Sequence, residues 1–306
     1  MPLVSYCPPL DSCAMTQPAV SLIISTYNSV EWLSKVLESV FSQSFNDFEV
    51  IIADDGSRAD TASLLRRYAA RSPVRVSHIW QQDQGFQKCR ILNKAIAVSR
   101  GKRLLFTDGD CVLPQDFIAV HQDMARPGYY LTGAYFKLPQ RVSDLISAEE
   151  IRNGSVFRAS WILSHGLKPS IKLAKLIVPR SLARVANHLT PTKKTWNGHN
   201  SSCLRSEAIK VNGFNEDIQY GGQDVEYGTR LNHAGIHGRH LRFSTIPLHL
   251  YHGHSYVTPG MRERSLNQRK ETIRQHRVRA LRGLDQWLKP DGSVCLDPED
   301  HYLVLS

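Results

Sequence analysis

Apolar stretches of strand length alternate with stripes of helical spacing through the first part of the chain. Val20–Thr26 reads as a strand, and Trp32, Leu33, Val36, Leu37, Val40 and Phe41 then recur at helical intervals. A second strand is expected at Phe48–Ala53, a helix near Asp60–Ala70, a short strand at Val74–Ile79, a helix over Lys88–Val98 and a further strand at Arg103–Thr107. Strands separated by helices in this order predict an α/β fold with a mostly parallel sheet flanked by helices. No internal repeat is visible.

The polar residues that interrupt this pattern fall at strand ends. The second strand runs into Asp54-Asp55-Gly56-Ser57, and the strand at Arg103–Thr107 runs into Asp108-Gly109-Asp110. Carboxylates placed there lie at the carboxyl edge of an open sheet, where such sheets bind ligands. Two aspartates one residue apart on a glycine-loosened turn can both face a hard divalent cation, which takes oxygen ligands and shares itself with substrate phosphates. The combination points to an enzyme that handles a nucleoside diphosphate. Ser25-Thr26-Tyr27-Asn28 closes the first strand where loops commonly meet a base and ribose, although Asn28 or Ser29 would also serve as a helix cap. Two readings also apply to Asp54 and Asp55: acceptors for ribose hydroxyls or a base imide, or an acidic turn ahead of a helix. Asp83-Gln84-Gly85-Phe86-Gln87-Lys88-Cys89-Arg90 leads into the next helix. Gly85 permits close backbone approach, and Lys88 and Arg90 can meet phosphate near the helix start or simply form a charged face.

Farther along, every charged residue between Ile151 and Thr195 is Lys or Arg, interleaved with Trp161, Ile162, Leu163, Leu176, Ile177 and Val178. A basic amphipathic insertion of this kind lies on an anionic membrane surface or packs its apolar side on the main domain. Arg262–Arg282 reads as a second basic helix with the same two explanations. Between these segments come Trp196-Asn197-Gly198-His199-Asn200, Gly213–Asp217 and Gly221-Gly222-Gln223-Asp224-Val225-Glu226. Twin glycines let the backbone approach a ligand, and a carboxylate at Asp224 can act as general base for a sugar hydroxyl. Helix capping is the plainer reading, and it suits Glu226 better than Asp224. His249, His252 and His254 then fall within six residues; one of them can complete a metal shell begun by Asp110, or all three are loose surface histidines.

Composition narrows the picture little. The 306 residues, 42% hydrophobic and 22% charged, are ordinary globular material, and no apolar run approaches the length of a bilayer span. A net charge of +10 implies an anionic partner: nucleotide, nucleic acid or lipid. Six scattered cysteines without a CxxC pair fit a reducing cytosol. Residues 1–19 read as a disordered leader, without the basic and apolar regions of a signal peptide.

Taken in order and spacing, Val20–Asn28, Asp54–Ser57, Gln84–Asn93, Asp108–Asp110 and Gly213–Glu226 resemble an inverting family 2 glycosyltransferase of the GT-A type. Gly221-Gly222-Gln223-Asp224 also looks like the Gly-Gly-Glu-Asp motif in the C-terminal half of galactosyl- and N-acetylgalactosaminyltransferases, with Gln223 replacing a carboxylate used around the donor sugar. The resemblance implies a Rossmann-like sheet with a nucleotide-sugar-binding half over 20–140 and a helical insertion over 141–195. An acceptor and catalytic half would follow over 196–256, with a basic helix and tail over 257–306. Thr26, Tyr27, Asp54, Asp55, Asp83, Lys88, Arg90 and Asp108 would line the nucleotide. Asp108, Asp110 and His252 would hold Mn2+ or Mg2+. Trp196, Asn197, Gly221, Gly222, Gln223 and Glu226 would meet donor or acceptor, and Asp224 would deprotonate the acceptor. The expected activity is metal-dependent transfer of a hexose or N-acetylhexosamine from a nucleotide sugar, with a UDP-sugar as the expected donor, to a glycan or lipid-linked glycan, in surface polysaccharide or lipopolysaccharide synthesis. The expected setting is the cytoplasm, peripheral at the inner membrane face, with no nucleic acid partner. Two other readings remain. A sugar nucleotidyltransferase would need a glycine-rich basic loop after the first strand, where Ser25–Ser29 is not one, and a noncatalytic module would bind nucleic acid through the basic segments.

Overall fold

The computed structural model describes residues 17–170, 173–253 and 260–306, so residues 1–16 of the expected leader, and His254, lie outside the described residues. Four strands run parallel at the centre of an eight-stranded sheet: β1 (Val20–Thr26), β2 (Phe48–Asp54), β3 (Val76–Trp80) and β4 (Arg103–Asp108). Helices α1 (Val30–Val40), α2 (Ala59–Ala69) and α3 (Lys88–Val98) connect them. The strands are apolar without alternation because both faces are covered. Leu22, Ile24, Val50 and Ile52 pack with Leu33, Val36 and Leu37 of α1 and Leu64 and Leu65 of α2. Ile23, Ile51, Ala53 and Ile79 point the other way, onto Ile91, Leu92 and Ala95 of α3. Each such fully buried Leu or Ile stabilises the fold by about 1.5–3 kcal/mol.

Strand register sets the site. Ser25 pairs with both Ala53 and Asp108, and Thr26 pairs with Asp54. The loops after β1, β2 and β4 therefore leave the sheet level with one another. Beyond β4 the chain forms β5 (Cys111–Val112), α4 (Phe117–Asp123), β6 (Tyr129–Thr132) and β7 (Phe136–Lys137). Five short helices follow: α5 (Gln140–Leu145), α6 (Ala148–Arg152), α7 (Ala159–Ser164), α8 (Ala174–Ile177) and α9 (Arg180–Leu189). The chain then returns through β8 (Ser201–Leu204), α10 (Arg205–Lys210), α11 (Gln223–His233), β9 (His237–His240) and β10 (Leu248–His249), ending with α12 (Met261–Arg274) and β11 (His301–Val304). The large sheet has the order β11-β3-β2-β1-β4-β8-β6-β9, with β8 antiparallel to β4 and to β6. A small sheet, β5-β10-β7, pairs His249 with Cys111, which draws the histidine segment onto the acidic turn after β4.

Part of the basic insertion does pack inward: Ile151, Val156, Ile162 and Leu173 join Val112, Phe136 and Leu248 in one apolar cluster. The second basic helix is shorter than expected. It stops at Arg274 because His276 adopts a left-handed φ of 48° and the following chain is captured elsewhere. The Asn212 amide donates to Ala280 O at 2.9 Å, and the Leu284 N–H donates to Asn212 O at 3.0 Å.

The tail closes the sheet edge. β11 pairs antiparallel with β3, and the segment leading to it neutralises α3. Lys94, with no exposed side-chain surface, lies 3.0 Å from Asp297 Oδ2 and 2.6 Å from Asp300 Oδ2. Removing both partners strands a buried ammonium, a loss of about 3–5 kcal/mol. The double substitution Asp297→Ala/Asp300→Ala should lower the urea-unfolding free energy by that amount, and adding Lys94→Met should recover most of it. Equal stability of wild type and double variant would mean that Lys94 is neutral or solvated.

Candidate active site

The acidic turn after β2 divides its two carboxylates between separate tasks. Asp54 is 1% exposed; its Oδ1 accepts from the Ser57 backbone N–H at 2.8 Å, and its Oδ2 lies 3.0 Å from His78 Nε2. Asp55 turns toward the next loop, accepting from Gln81 Nε2 at 2.6 Å and the Gln87 backbone N–H at 2.9 Å. Burial lifts the Asp55 carboxyl to about 7 despite those two donors. Gly56, at φ 96°, lets the turn close onto Asp83; a Cβ there would sit 2.6 Å from the Asp83 backbone. At the rim the Tyr27 hydroxyl donates to Asp83 Oδ2 at 2.8 Å. Thr26 Oγ1 is buried nearby without a hydrogen-bond partner among the described residues.

Lys88, first residue of α3, joins this wall to the loop after β4. Its Nζ lies 2.5 Å from Asp108 Oδ1, which also accepts from Ser25 Oγ at 2.8 Å. Burial opposes the ammonium charge, yet Asp108, Asp224 and Asp110 together hold the Lys88 pKa above its ordinary value. Burial likewise opposes ionisation of Asp108, and Lys88 overcomes it, holding that carboxyl well below the usual range. Asp224 enters from α11, whose N-cap Gly222 takes a left-handed φ of 100°. Burial pushes Asp224 up to about 6, with Lys88 pulling down and Asp108 pushing up. The Gly198 N–H donates to its carboxylate, while Oδ1 is buried without a partner among the described residues. A Cβ on Gly198 would lie 3.1 Å from that Oδ1, so the bare backbone is what lets the loop meet the acid.

Histidines form the remaining wall. His252 Nε2 is 2.9 Å from Asp110 Oδ2, and His249 Nε2 is 3.9 Å from Asp110 Oδ1. The hydrogen bond to Asp110 raises the His252 pKa. His199 packs edge-on against Tyr135 at 4.4 Å between ring centroids, and burial lowers its imidazole to about 4. Ligand atoms of Asp110, Cys111 and His249 lie within 4.8 Å of one another. Carboxylate oxygen and neutral imidazole suit manganese or a similar divalent ion. Burial keeps the Cys111 thiol well above its ordinary pKa, so the carboxylate and the imidazoles are the fitting donors.

Thr26, Tyr27, Asp55, Asp83, Lys88, Asp108, Asp110, Asp224 and His252 thus gather at the carboxyl edge. Several expected contacts do not. Trp196 is 1% exposed and packs against Phe106, Tyr130 and Tyr227, a core residue with no face for a donor or acceptor. Glu226 is buried against Arg230, one turn along α11, at 2.8 Å, and accepts from Thr272 Oγ1 at 2.9 Å. Arg90 is drawn away from any phosphate to Asp297 at 2.5 Å. Asp54 is consumed in holding its own turn. The Asn197 amide is spent on Thr132 Oγ1 and Gly133 O, both at 2.8 Å. Gln223 Oε1 accepts from the Gly221 N–H at 2.9 Å, which shapes the approach to Asp224. Sequence reasoning missed His199 as a site residue. Its place one residue after Gly198 was the available signal, but nothing local shows that this loop meets α11.

Comparison with known proteins agrees with this architecture. Residues 21–140 match the family model described as Glycosyl transferase family 2. The uncharacterized glycosyltransferase YfnE of Bacillus subtilis (strain 168) is 27% identical over 264 residues, 76% of this chain and 64% of that protein. Validoxylamine A glucosyltransferase of Streptomyces hygroscopicus subsp. jinggangensis (strain 5008) is 27% identical over 238 residues, 72% of this chain and 52% of that protein. The chain thus spans about half to two thirds of the length of these curated relatives. Among solved structures, the mannosyltransferase PcManGT from Pyrobaculum calidifontis, in complex with GDP-Man and Mn2+, superposes with a TM-score of 0.52 at 19% identity, covering 84% of this chain and 62% of that one. S. aureus TarS 1-349 in complex with UDP-GlcNAc gives a TM-score of 0.53 at 15% identity, covering 87% and 68%. At such identities the structural likeness speaks for the fold. The chain therefore carries a family 2 glycosyltransferase domain, built on the GT-A fold, across residues 21–140.

Proposed function

We propose that the chain is a metal-dependent, inverting glycosyltransferase. In this reading it moves a hexose or N-acetylhexosamine from a UDP-sugar to a hydroxyl of a glycan or lipid-linked glycan, in surface polysaccharide or lipopolysaccharide synthesis at the cytoplasmic face. The observation that carries the reading is the Asp224 carboxylate, pushed up to about 6 by burial and acted on by both members of the Lys88–Asp108 pair. A base needs a pKa near its working pH and an oxygen without a competing donor, and Asp224 has both among the described residues. The names of the glucosyltransferase relative and of the UDP-GlcNAc and GDP-Man complexes lend support to a nucleotide-sugar donor.

Asp55, Thr26, Tyr27 and Asp83 would hold the nucleoside, the unpartnered Thr26 hydroxyl and the neutral-leaning Asp55 each offering a hydrogen bond. Asp108, Asp110 and His252 would hold Mn2+ or Mg2+, which when bound absorbs negative charge building on the departing diphosphate. Lys88 would add a positive charge beside the phosphates. Asp224 takes the proton of the acceptor hydroxyl while its oxygen bonds to the anomeric carbon from the face opposite the donor oxygen. The carbon–oxygen bond to the diphosphate breaks, its electron pair leaves with the nucleotide, and configuration inverts.

Nucleotide sugars leak slowly to water in such a site, so a panel of UDP- and GDP-sugars should show hydrolysis of one donor that needs manganese and stops with chelator. Absence of metal-dependent turnover and of donor binding across the panel would defeat the proposal. Asp224→Asn should lower transfer by about 10²–10⁴ while nucleotide binding persists; near-normal transfer would remove Asp224 from the base role.

The raised acid also sets pH behaviour. Transfer should fall as pH drops through about 6 and Asp224 gains its proton. Lys88 depresses that value, so Lys88→Met should move the acidic limb upward by about one pH unit, with an unmoved limb showing that Asp224 does not control it. For stability the sign is reversed from a paired carboxylate. A folded pKa above the unfolded one leaves Asp224 harmless in acid, and its ionisation costs stability as pH rises through about 6. Asp224→Asn should therefore melt about 2–4 °C higher than wild type at pH 8 and show little difference near pH 4.

A further inference from the structure

Helix α9 is amphipathic the wrong way round for a helix in water. The residues turned inward are small or polar. Ala183 is buried, while Asn187 donates to Ser244 Oγ at 2.7 Å and accepts from the Phe243 N–H at 2.8 Å. Turned outward are large aliphatic side chains: Leu182, Val185 and Leu189 are 56, 55 and 73% exposed, and Ile177 at the end of α8 is 63% exposed. Spacings of three and four residues place the α9 trio along one side of the helix. An apolar stripe facing outward in this way marks a contact surface.

Charge says what the contact is with. Nine Lys and Arg residues and no Asp or Glu occur between Ile151 and Thr195. Arg184, Lys193 and Lys194 are exposed around the stripe, and Arg180 keeps 84% of its side chain exposed although it reaches Asp116 at 2.7 Å. Aliphatic side chains bordered by cations, on a segment that itself carries no acid, match the boundary between acyl chains and anionic headgroups. The ten residues of α9 extend about 15 Å, too short to cross a bilayer, and no described helix is long and apolar enough to do so. On a bilayer a helix of this length lies along the surface.

We propose that α8, α9 and the basic segment after them dock the protein on an anionic lipid bilayer. Ile177, Leu182, Val185 and Leu189 enter the headgroup–acyl boundary, and Arg180, Arg184, Lys193 and Lys194 meet lipid phosphates. The surface is joined by a short path to the candidate active site. Lys194 O accepts from the Tyr130 hydroxyl at 2.9 Å, Thr195 O accepts from Thr132 Oγ1 at 2.7 Å, and three residues later Gly198 meets Asp224. Presentation of a lipid-linked acceptor on this side rests on the proposed function; the docking itself does not.

Vesicle co-sedimentation of the full chain tests it, using phosphatidylcholine with and without phosphatidylglycerol. Wild type should pellet with the anionic vesicles alone and be released by salt. Leu182→Ser/Val185→Ser/Leu189→Ser should weaken binding about tenfold or more. Arg184→Glu/Lys193→Glu/Lys194→Glu should weaken it by about fivefold or more for each cation. Circular dichroism and metal-dependent donor hydrolysis should match wild type in both variants, which separates lost docking from lost folding or chemistry. Wild type that ignores anionic vesicles, or a serine variant that binds them as tightly, would overturn the proposal. A wild-type dimer that the serine variant converts to monomer would assign the stripe to a contact between copies instead.

Discussion

A single ammonium group, Lys88, allows acidic residues from the end of β4 with its following turn, and from α11, to converge on one spot. Asp108, Asp110 and Asp224 all act on its charge, and its 2.5 Å contact with Asp108 ties the start of α3 to the end of β4. The placement runs against local preference. A helix N-terminus carries partial positive charge and favours anions, yet α3 begins with a lysine. The aspartates outweigh that penalty, because carboxylates crowded in a half-buried cleft repel one another without a cation among them.

The other side of α3 is fixed with equal care, and this gives Lys88 a rigid base. Asn93, fully buried, donates to Phe214 O at 2.9 Å and accepts from the Phe214 N–H at 2.7 Å, which binds the helix to the chain leading toward α11. Arg90 and Lys94 reach the tail through Asp297 and Asp300. The element that carries Lys88 is therefore held by the second half of the sequence and by its last residues. Contacts remote from the cleft decide where its central charge stands.

The cleft also keeps polar groups that the fold leaves unsatisfied. Thr26 Oγ1 and Asp224 Oδ1 are buried without partners among the described residues, and burial raises both Asp55 and Asp224. Native interiors rarely tolerate such groups, so leaving these two unpartnered at the carboxyl edge is a cost in stability that a ligand can offset.

The central sheet was legible from one dimension. Unbroken apolar runs bounded by turn residues give β1 its observed ends because that strand is buried on both faces, and helical spacing locates α1 and α3 because each presses an apolar side on the sheet, so local pattern is enough. The acidic turns were legible for the same reason, since a motif at the end of a buried strand has one place to go. Where pairing is distant, the residues alone were silent. Nothing near Trp196 distinguishes a stacking platform from a core aromatic, and nothing near Glu226 reveals Arg230 and Thr272 closing on it. Likewise His199 and the strap from Asp297 to Arg90 depend on contacts across most of the chain. Sequence determined which residues could carry charge at the sheet edge. Tertiary structure decided which of them face the cleft, because burial and partnership are properties of neighbours brought together only by folding.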